Sequence, residues 1–123
     1  MTTDASAIVR ASFEAYVNKD RSALDQLLAP DFHFTSPLDN RLDRATYFDV
    51  CWPNSTKLAK FEILSMACVE DRVFVSYIGY GADGHRFRNT EVHTLRGGMI
   101  VEVEVYFGWS LPHPASAGAH LNA

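Results

Sequence analysis

The sequence predicts an α+β fold in which a curved, cone-shaped antiparallel sheet carries three helices from the N-terminal half on its concave face. Three observations predict it. Apolar residues recur at helical spacing in most segments before Pro53, and they alternate with period two in four long segments after it. The joints between those four segments are short and rich in Gly and Asp. At 123 residues the chain can build one core and not two. Residues 1–113 are expected to be that domain, and 114–123, made of Pro, Ala, Ser, Gly, His, Leu and Asn, a loosely held tail.

The first helix is predicted over 5–18, with Ile8, Val9, Phe13, Tyr16 and Val17 on one stripe and Arg10, Glu14 and Asn18 opposite. Asp20 caps a second helix whose Ala23, Leu24, Leu27 and Leu28 form its stripe, and Pro30 stops it. Residues 31–36 alternate, setting Phe32, Phe34 and Ser36 against His33 and Thr35, so a strand is expected up to Pro37. Residues 37–42 read as a polar loop. Asp43 then caps a third helix carrying Tyr47, Phe48, Cys51 and Trp52, which Pro53, Asn54 and Ser55 break.

Strands follow over 57–69, 72–81, 86–95 and 99–109, an antiparallel meander of three hairpins. In the last, Val101, Val103, Val105 and Phe107 alternate with Ile100, Glu102, Glu104 and Tyr106, and the valine row is expected to face inward. Helices laid across a curled sheet leave a cavity at the open end of the cone.

Composition excludes several function classes. The net charge is −4 and the basic residues are scattered, so neither nucleic acid nor an anionic membrane is an expected partner. No apolar run approaches the roughly 20 residues that cross a bilayer, and the polar start carries no secretory leader, so a cytoplasmic protein is expected. Cys51 and Cys68 then read as reduced packing residues. No Cys/His/Asn arrangement supports Cys51 as a nucleophile. His33, His85, His93, His113 and His120 are dispersed, and the Gly pairs at strand ends precede no helix. No metal, nucleotide or other cofactor is therefore expected.

The segments 16–32 (YVNKDRSALDQLLAPDF) and 98–108 (GMIVEVEVYFG) resemble the nuclear-transport-factor-2-like superfamily, in particular its SnoaL-like branch, over roughly 5–109. The resemblance implies a cystatin-like roll and a homodimer packed through the outer sheet faces. It does not imply one reaction, because the superfamily includes ketosteroid isomerases, polyketide cyclases, epoxide hydrolases, dehydratases and non-catalytic carriers. Where a ketosteroid isomerase has its general-base carboxylate before a proline, this chain has Ser36-Pro37. The helix-one tyrosine of that family falls on Ser12, with Tyr16 one turn on. The second acid matches Glu91 if one deletion is allowed at Arg96-Gly97-Gly98, and Thr90 otherwise.

Glu91 and His93 are the candidate catalytic residues. By parity they share a face with Phe87, Asn89 and Leu95, and the resemblance makes that face the concave one, where a carboxylate beside an imidazole is an acid/base pair. The competing reading turns Thr90, Val92 and Thr94 inward and leaves Glu91 and His93 as a hydrogen-bonded pair outside. The candidate pocket is Tyr16, Phe32, Phe34, Ser36, Asp39, Phe48, Cys51, Trp52, Asn89, Val103, Val105 and Phe107, together with Tyr47, a lining for a flat terpenoid, steroid or aromatic polyketide. Packing alone also accounts for aromatic residues at helical spacing. Asp39 and Arg41 are expected at the mouth, either orienting a substrate or forming a solvated ion pair, and Arg88 is expected to seek Glu102 or Glu104. Two functions follow. One is an isomerase, cyclase or hydrolase acting on an apolar cyclic substrate; the other is a non-catalytic binding or accessory protein for a small apolar molecule.

Overall fold

The computed structural model describes residues 4–118. The elements are helix α1 (Ala5–Val17), helix α2 (Arg21–Leu27), strands β1 (Leu28–Ser36) and β2 (Asp39–Asp43), helix α3 (Arg44–Val50) and a 3-10 segment (Trp52–Lys57). Strands β3 (Leu58–Val69), β4 (Arg72–Gly81), β5 (Arg86–Arg96) and β6 (Met99–Leu111) complete the fold. The six strands form one sheet in the order β2-β1-β6-β5-β4-β3. Residues 119–123 of the expected tail, His120 among them, lie outside the described residues.

The helix starts come from local chemistry. The carboxylates of Asp4, Asp20 and Asp43 accept from the backbone N–H of Ser6, Ala23 and Thr46 at the three N-termini, each satisfying a donor that the first turn leaves free. Helix α1 then lays Val9 and Phe13 on the sheet. The Phe13 ring meets Phe61 and Tyr77 edge-on at 4.9 and 5.1 Å, and Val9, Val73, Val75, Phe32 and Ile100 form the most buried part of the core.

The structure departs from the sequence reading in six places, each with a physical reason. Residues 39–42, expected in a loop, form β2 together with the capping Asp43 and pair with β1 through Phe34 and Leu42. This short edge strand is too polar for a propensity signal, which is how edges avoid further pairing. Strand β1 begins at Leu28 and contains Pro30. Its ladder to β6 is interrupted between Leu28 and His33, where a residue without an N–H is tolerated. That β1–β6 pair is parallel, so the sheet is not wholly antiparallel; every other neighbouring pair is. Trp52 lies beyond α3, in the 3-10 segment that Pro53 enters. Arg88 is exposed and stacks over the Trp109 ring at 5.6 Å, while Glu102 and Glu104 pair with Arg41 and Arg72 instead.

The sixth departure sets the face of β6. Thr94 pairs with Glu102 and Leu95 with Ile100, so Val101 is an extra residue, a β-bulge that reverses the alternation. Ile100, expected on the outer row, is fully buried inside with Val103 and Val105, and Glu102, Glu104 and Tyr106 face out. Truncating Ile100 to Ala is therefore expected to destabilise the domain by about 2–5 kcal/mol in urea unfolding. Truncating Val69, 56% exposed, to Ala should stay within about 0.5 kcal/mol. Equal, small costs at both positions would place Ile100 outside.

Candidate functional site

Between the helices and the concave face lies a cavity of about 900 Å³, well within the size range of small-molecule sites. From the helix side and β1 it is lined by Tyr16, Phe32, Phe34, Ser36, Asp39 and Cys51, and from the sheet by Asn89, Val103 and Val105. Phe107 also borders it, but as a half-exposed rim residue. Phe48 and Trp52, two of the predicted lining residues, do not. Helix α3 turns Tyr47 onto Phe32 and Phe34, and the next residue points roughly a hundred degrees away. Phe48 is buried beneath the Arg21 guanidinium, 4.5 Å from its ring, and Trp52 meets Tyr16 edge-on at 5.5 Å while bordering a separate recess with Arg21 and Asp49.

Strand β5 turns Phe87, Asn89, Glu91, His93 and Leu95 to the concave side and Thr90, Val92 and Thr94 to the convex side. Thr90 exchanges a hydrogen bond there with Ser76 at 2.8 Å. The apolar character of Val92 reflects burial beneath its outer-face neighbours Phe74 and Glu104, not an inward position. Register across the β4–β5 hairpin sets Tyr77 opposite Asn89 and Val75 opposite Glu91.

A chain of four polar side chains, anchored by one backbone N–H, results. The backbone N–H of Gly108, at an irregularity in β6, donates to Asn89 Oδ1 at 3.2 Å, and Asn89 Nδ2 donates to the Tyr77 hydroxyl at 3.4 Å. Tyr77 donates to Glu91 Oε2 at 2.6 Å, and His93 Nε2 lies 2.9 Å from Glu91 Oε1. His93 is 3% exposed, its ring 5.8 Å from that of Phe13, and its Nδ1 is sealed without a partner among the described residues. A proton on Nδ1 would be a buried donor with no acceptor, so the tautomer that fits carries it on Nε2 and donates it to Glu91. Burial, and after it the adjacent Glu91 charge, pushes the Tyr77 phenol far above its ordinary range, so it remains a donor at any physiological pH.

Tyr77 is the member of this group that the sequence reading missed. Its signal was present: Val73, Val75 and Tyr77 alternate, and the short 82–85 connection fixes which β5 residues they face. The other wall offers less chemistry. Ser12, where the isomerases have their phenol, donates its hydroxyl back to the Val9 carbonyl at 2.6 Å. Ser36 accepts from the Leu38 N–H at 3.1 Å and donates to Asp39 at 3.3 Å, which ties its hydroxyl into the β1–β2 turn. Asp39 and Arg41 do not pair: Arg41 has a φ of 49°, and its guanidinium reaches His33 and Glu102.

The sequence assigns this geometry to a family. The SnoaL-like domain model matches residues 9–103, and the chain belongs to that family. An NTF2-like protein of unknown function from Cytophaga hutchinsonii is similar in structure, with a TM-score of 0.73 and 19% identity over 88% of this chain and 93% of that one. An LEH-like epoxide hydrolase from Mycobacterium tuberculosis gives 0.73 and 20% over 87% and 84%. A de novo designed protein with a curved β-sheet gives 0.74 at 11% identity over 85% and 84%. At these identities the likeness is one of fold. No protein of curated function matches the sequence.

Cys51 provides a check on the cavity. Burial first, then Asp39, whose carboxylate lies 3.9 Å from its sulfur, raises the thiol to about 11. At pH 8 about one Cys51 in a thousand is then thiolate, because three pH units separate the two. Alkylation of the folded protein with iodoacetamide, followed by peptide mass spectrometry, should modify exposed Cys68 first. Cys51 labelling should rise about tenfold per pH unit toward 11. Full labelling of Cys51 at pH 8 on the Cys68 timescale would mean an ionised thiol and a different local geometry.

Proposed function

We propose that this SnoaL-like protein is an acid/base enzyme, an isomerase, cyclase or hydrolase, whose substrate is a small apolar cyclic molecule. One observation carries the reading. Glu91, its side chain 15% exposed, sits in a wall of aromatic and branched residues, and each of its oxygens holds a single protein donor. A carboxylate oxygen accepts more than one hydrogen bond, so Glu91 keeps lone pairs for a ligand proton. Tyr77 and His93 hold the carboxylate in one orientation, and Asn89 holds Tyr77, which is the rigidity that proton transfer requires. Glu91 takes a proton from substrate or from a water, becomes the carboxylic acid, and returns the proton before product leaves. His93, almost sealed from the cavity, is a positioning residue in this reading.

The second reading, a non-catalytic binding protein, draws on Ser36 and Ser12. Both stand where an isomerase has acid and phenol, and both hydroxyls are engaged locally. As part of the same proposal the chain is a cytoplasmic homodimer. The two free cysteines suit a reducing compartment, and half-buried Phe74 with exposed Tyr106 gives the convex face apolar surface for a partner copy.

Steroid, terpenoid and aromatic ketones and epoxides should be screened by thermal shift, where a ligand at 100 times its Kd stabilises by about 2.7 kcal/mol. Each hit is then incubated in D2O and followed by mass spectrometry for exchange, isomerisation or ring opening. Glu91→Gln should lower turnover by about 10²–10⁴-fold with binding kept. Turnover unchanged in Glu91→Gln removes Glu91 as the proton carrier, and hits that bind wild type without any conversion favour the carrier reading. Sedimentation should show a dimer that Tyr106→Asp, at a position 54% exposed in the single chain, converts to monomer. A monomeric wild type would remove the assembly proposed for the convex face.

A further inference from the structure

Three tyrosines line the cavity, and their hydroxyls have different fates. Tyr77 donates to Glu91 at 2.6 Å, and Tyr16 donates to the Cys51 carbonyl at 3.4 Å. The Tyr47 hydroxyl has no hydrogen-bond partner among the described residues. Only Arg44 Nε and His93 Nδ1 are both sealed and unpartnered there, so the Tyr47 hydroxyl opens onto free space although the residue is just 9% exposed. Its ring has no freedom to turn elsewhere: Phe32, Phe34 and Phe48 hold it with centroids at 5.2, 5.1 and 5.5 Å. A buried, fixed donor without an acceptor is rare in folded proteins, and at a cavity wall the missing acceptor is supplied by whatever enters.

We infer that Tyr47 is a ligand-binding residue whose hydroxyl donates to the carbonyl oxygen of a bound neutral ring compound. The inference rests on the cavity being a ligand site. Glu91 then forms an accepting pole and Tyr47 a donating pole of one greasy chamber. A hydrocarbon leaves the Tyr47 donor unmatched, and an organic anion meets the repulsion of Glu91 and Asp39, which both line the chamber. Burial, and then the neighbouring Tyr16 and Glu91, keeps the Tyr47 phenol protonated and hence a donor.

The probes are 2-acetylnaphthalene and 2-isopropenylnaphthalene, which share a shape and differ in C=O against C=CH2. Calorimetric titration of wild type should show the ketone binding about fivefold more tightly, the scale of one net hydrogen bond. The carbonyl stretch of the ¹³C-labelled ketone should move to lower frequency than in hexane. Tyr47→Phe keeps the ring and removes the hydroxyl. It should bring the ketone to the affinity of the alkene, leave the alkene within about twofold, and return the stretch toward its hexane position. Equal affinities in wild type, or an unshifted carbonyl, overturn this assignment and leave the proton-carrying role of Glu91 to its own turnover test. A ketone preference that survives in Tyr47→Phe also overturns it. Failure of both probes to bind overturns it together with the cavity reading. Equal affinities or an unshifted carbonyl in wild type overturn the assignment even if the variant does not fold.

Discussion

A carboxylate placed in an apolar interior has to be hydrogen-bonded or leave, and the β4–β5 register answers that demand for Glu91. Tyr77 reaches one oxygen across the strand pair and His93 the other along the same strand. Slipping β5 by one residue would turn Glu91 and His93 to the convex side and bring Thr90 and Val92 inward. The cavity would then lose the Glu91 carboxylate and the core the His93 ring, whose centroid lies 5.8 Å from that of Phe13. Sheet register and site chemistry are thus set by the same interaction.

Two irregularities in β6 let the rest of the sheet accommodate that register. The extra residue at Val101 buries Ile100 in the core, beside Leu28 of β1, while keeping Glu102 and Glu104 on the convex side, where Arg41 and Arg72 approach them. The second irregularity, between the partners of Phe87 and Asn89, brings the Gly108 N–H to Asn89 and so anchors the far end of the polar chain. A Cβ at Gly108 would collide with the Arg88 carbonyl, so the close approach requires glycine there. Bulges of this kind sharpen the local twist, which is what bends a sheet around a chamber.

The two walls of the chamber divide the work. The helix and β1 wall supplies fixed aromatic rings, with Ser12 and Ser36 closed off by their own backbone surroundings and Cys51 held as a neutral thiol. The β4–β5 wall supplies the oriented carboxylate. Between them Tyr47 holds the one tyrosine hydroxyl in the chamber that no described residue engages, so shape, charge and hydrogen-bond polarity together define what fits. That division also explains why a shared fold says little about reaction. The designed curved-sheet protein and the epoxide hydrolase match this backbone about equally well, so the fold by itself singles out no reaction.

Helix starts, strand alternation and hairpin joints depend on residues near one another in the chain, and these were legible: the Asp20 and Asp43 caps, the Phe32/Phe34 alternation and the β3–β6 meander all follow from local chemistry. The shared face of Asn89, Glu91 and His93 was likewise fixed by period two within one strand. Which way that face pointed was not, because Glu91 and Val92 each satisfy a reasonable rule for either side, and only the pairing with Tyr77 separates them. The parallel β1–β6 pair, the edge strand β2, the bulge that buries Ile100 and the displacement of Phe48 and Trp52 from the cavity are decided by contacts between distant segments. No local propensity encodes these, since a bulge costs one residue anywhere along a strand and its position is chosen by what the neighbouring strand and the helices above it must bury.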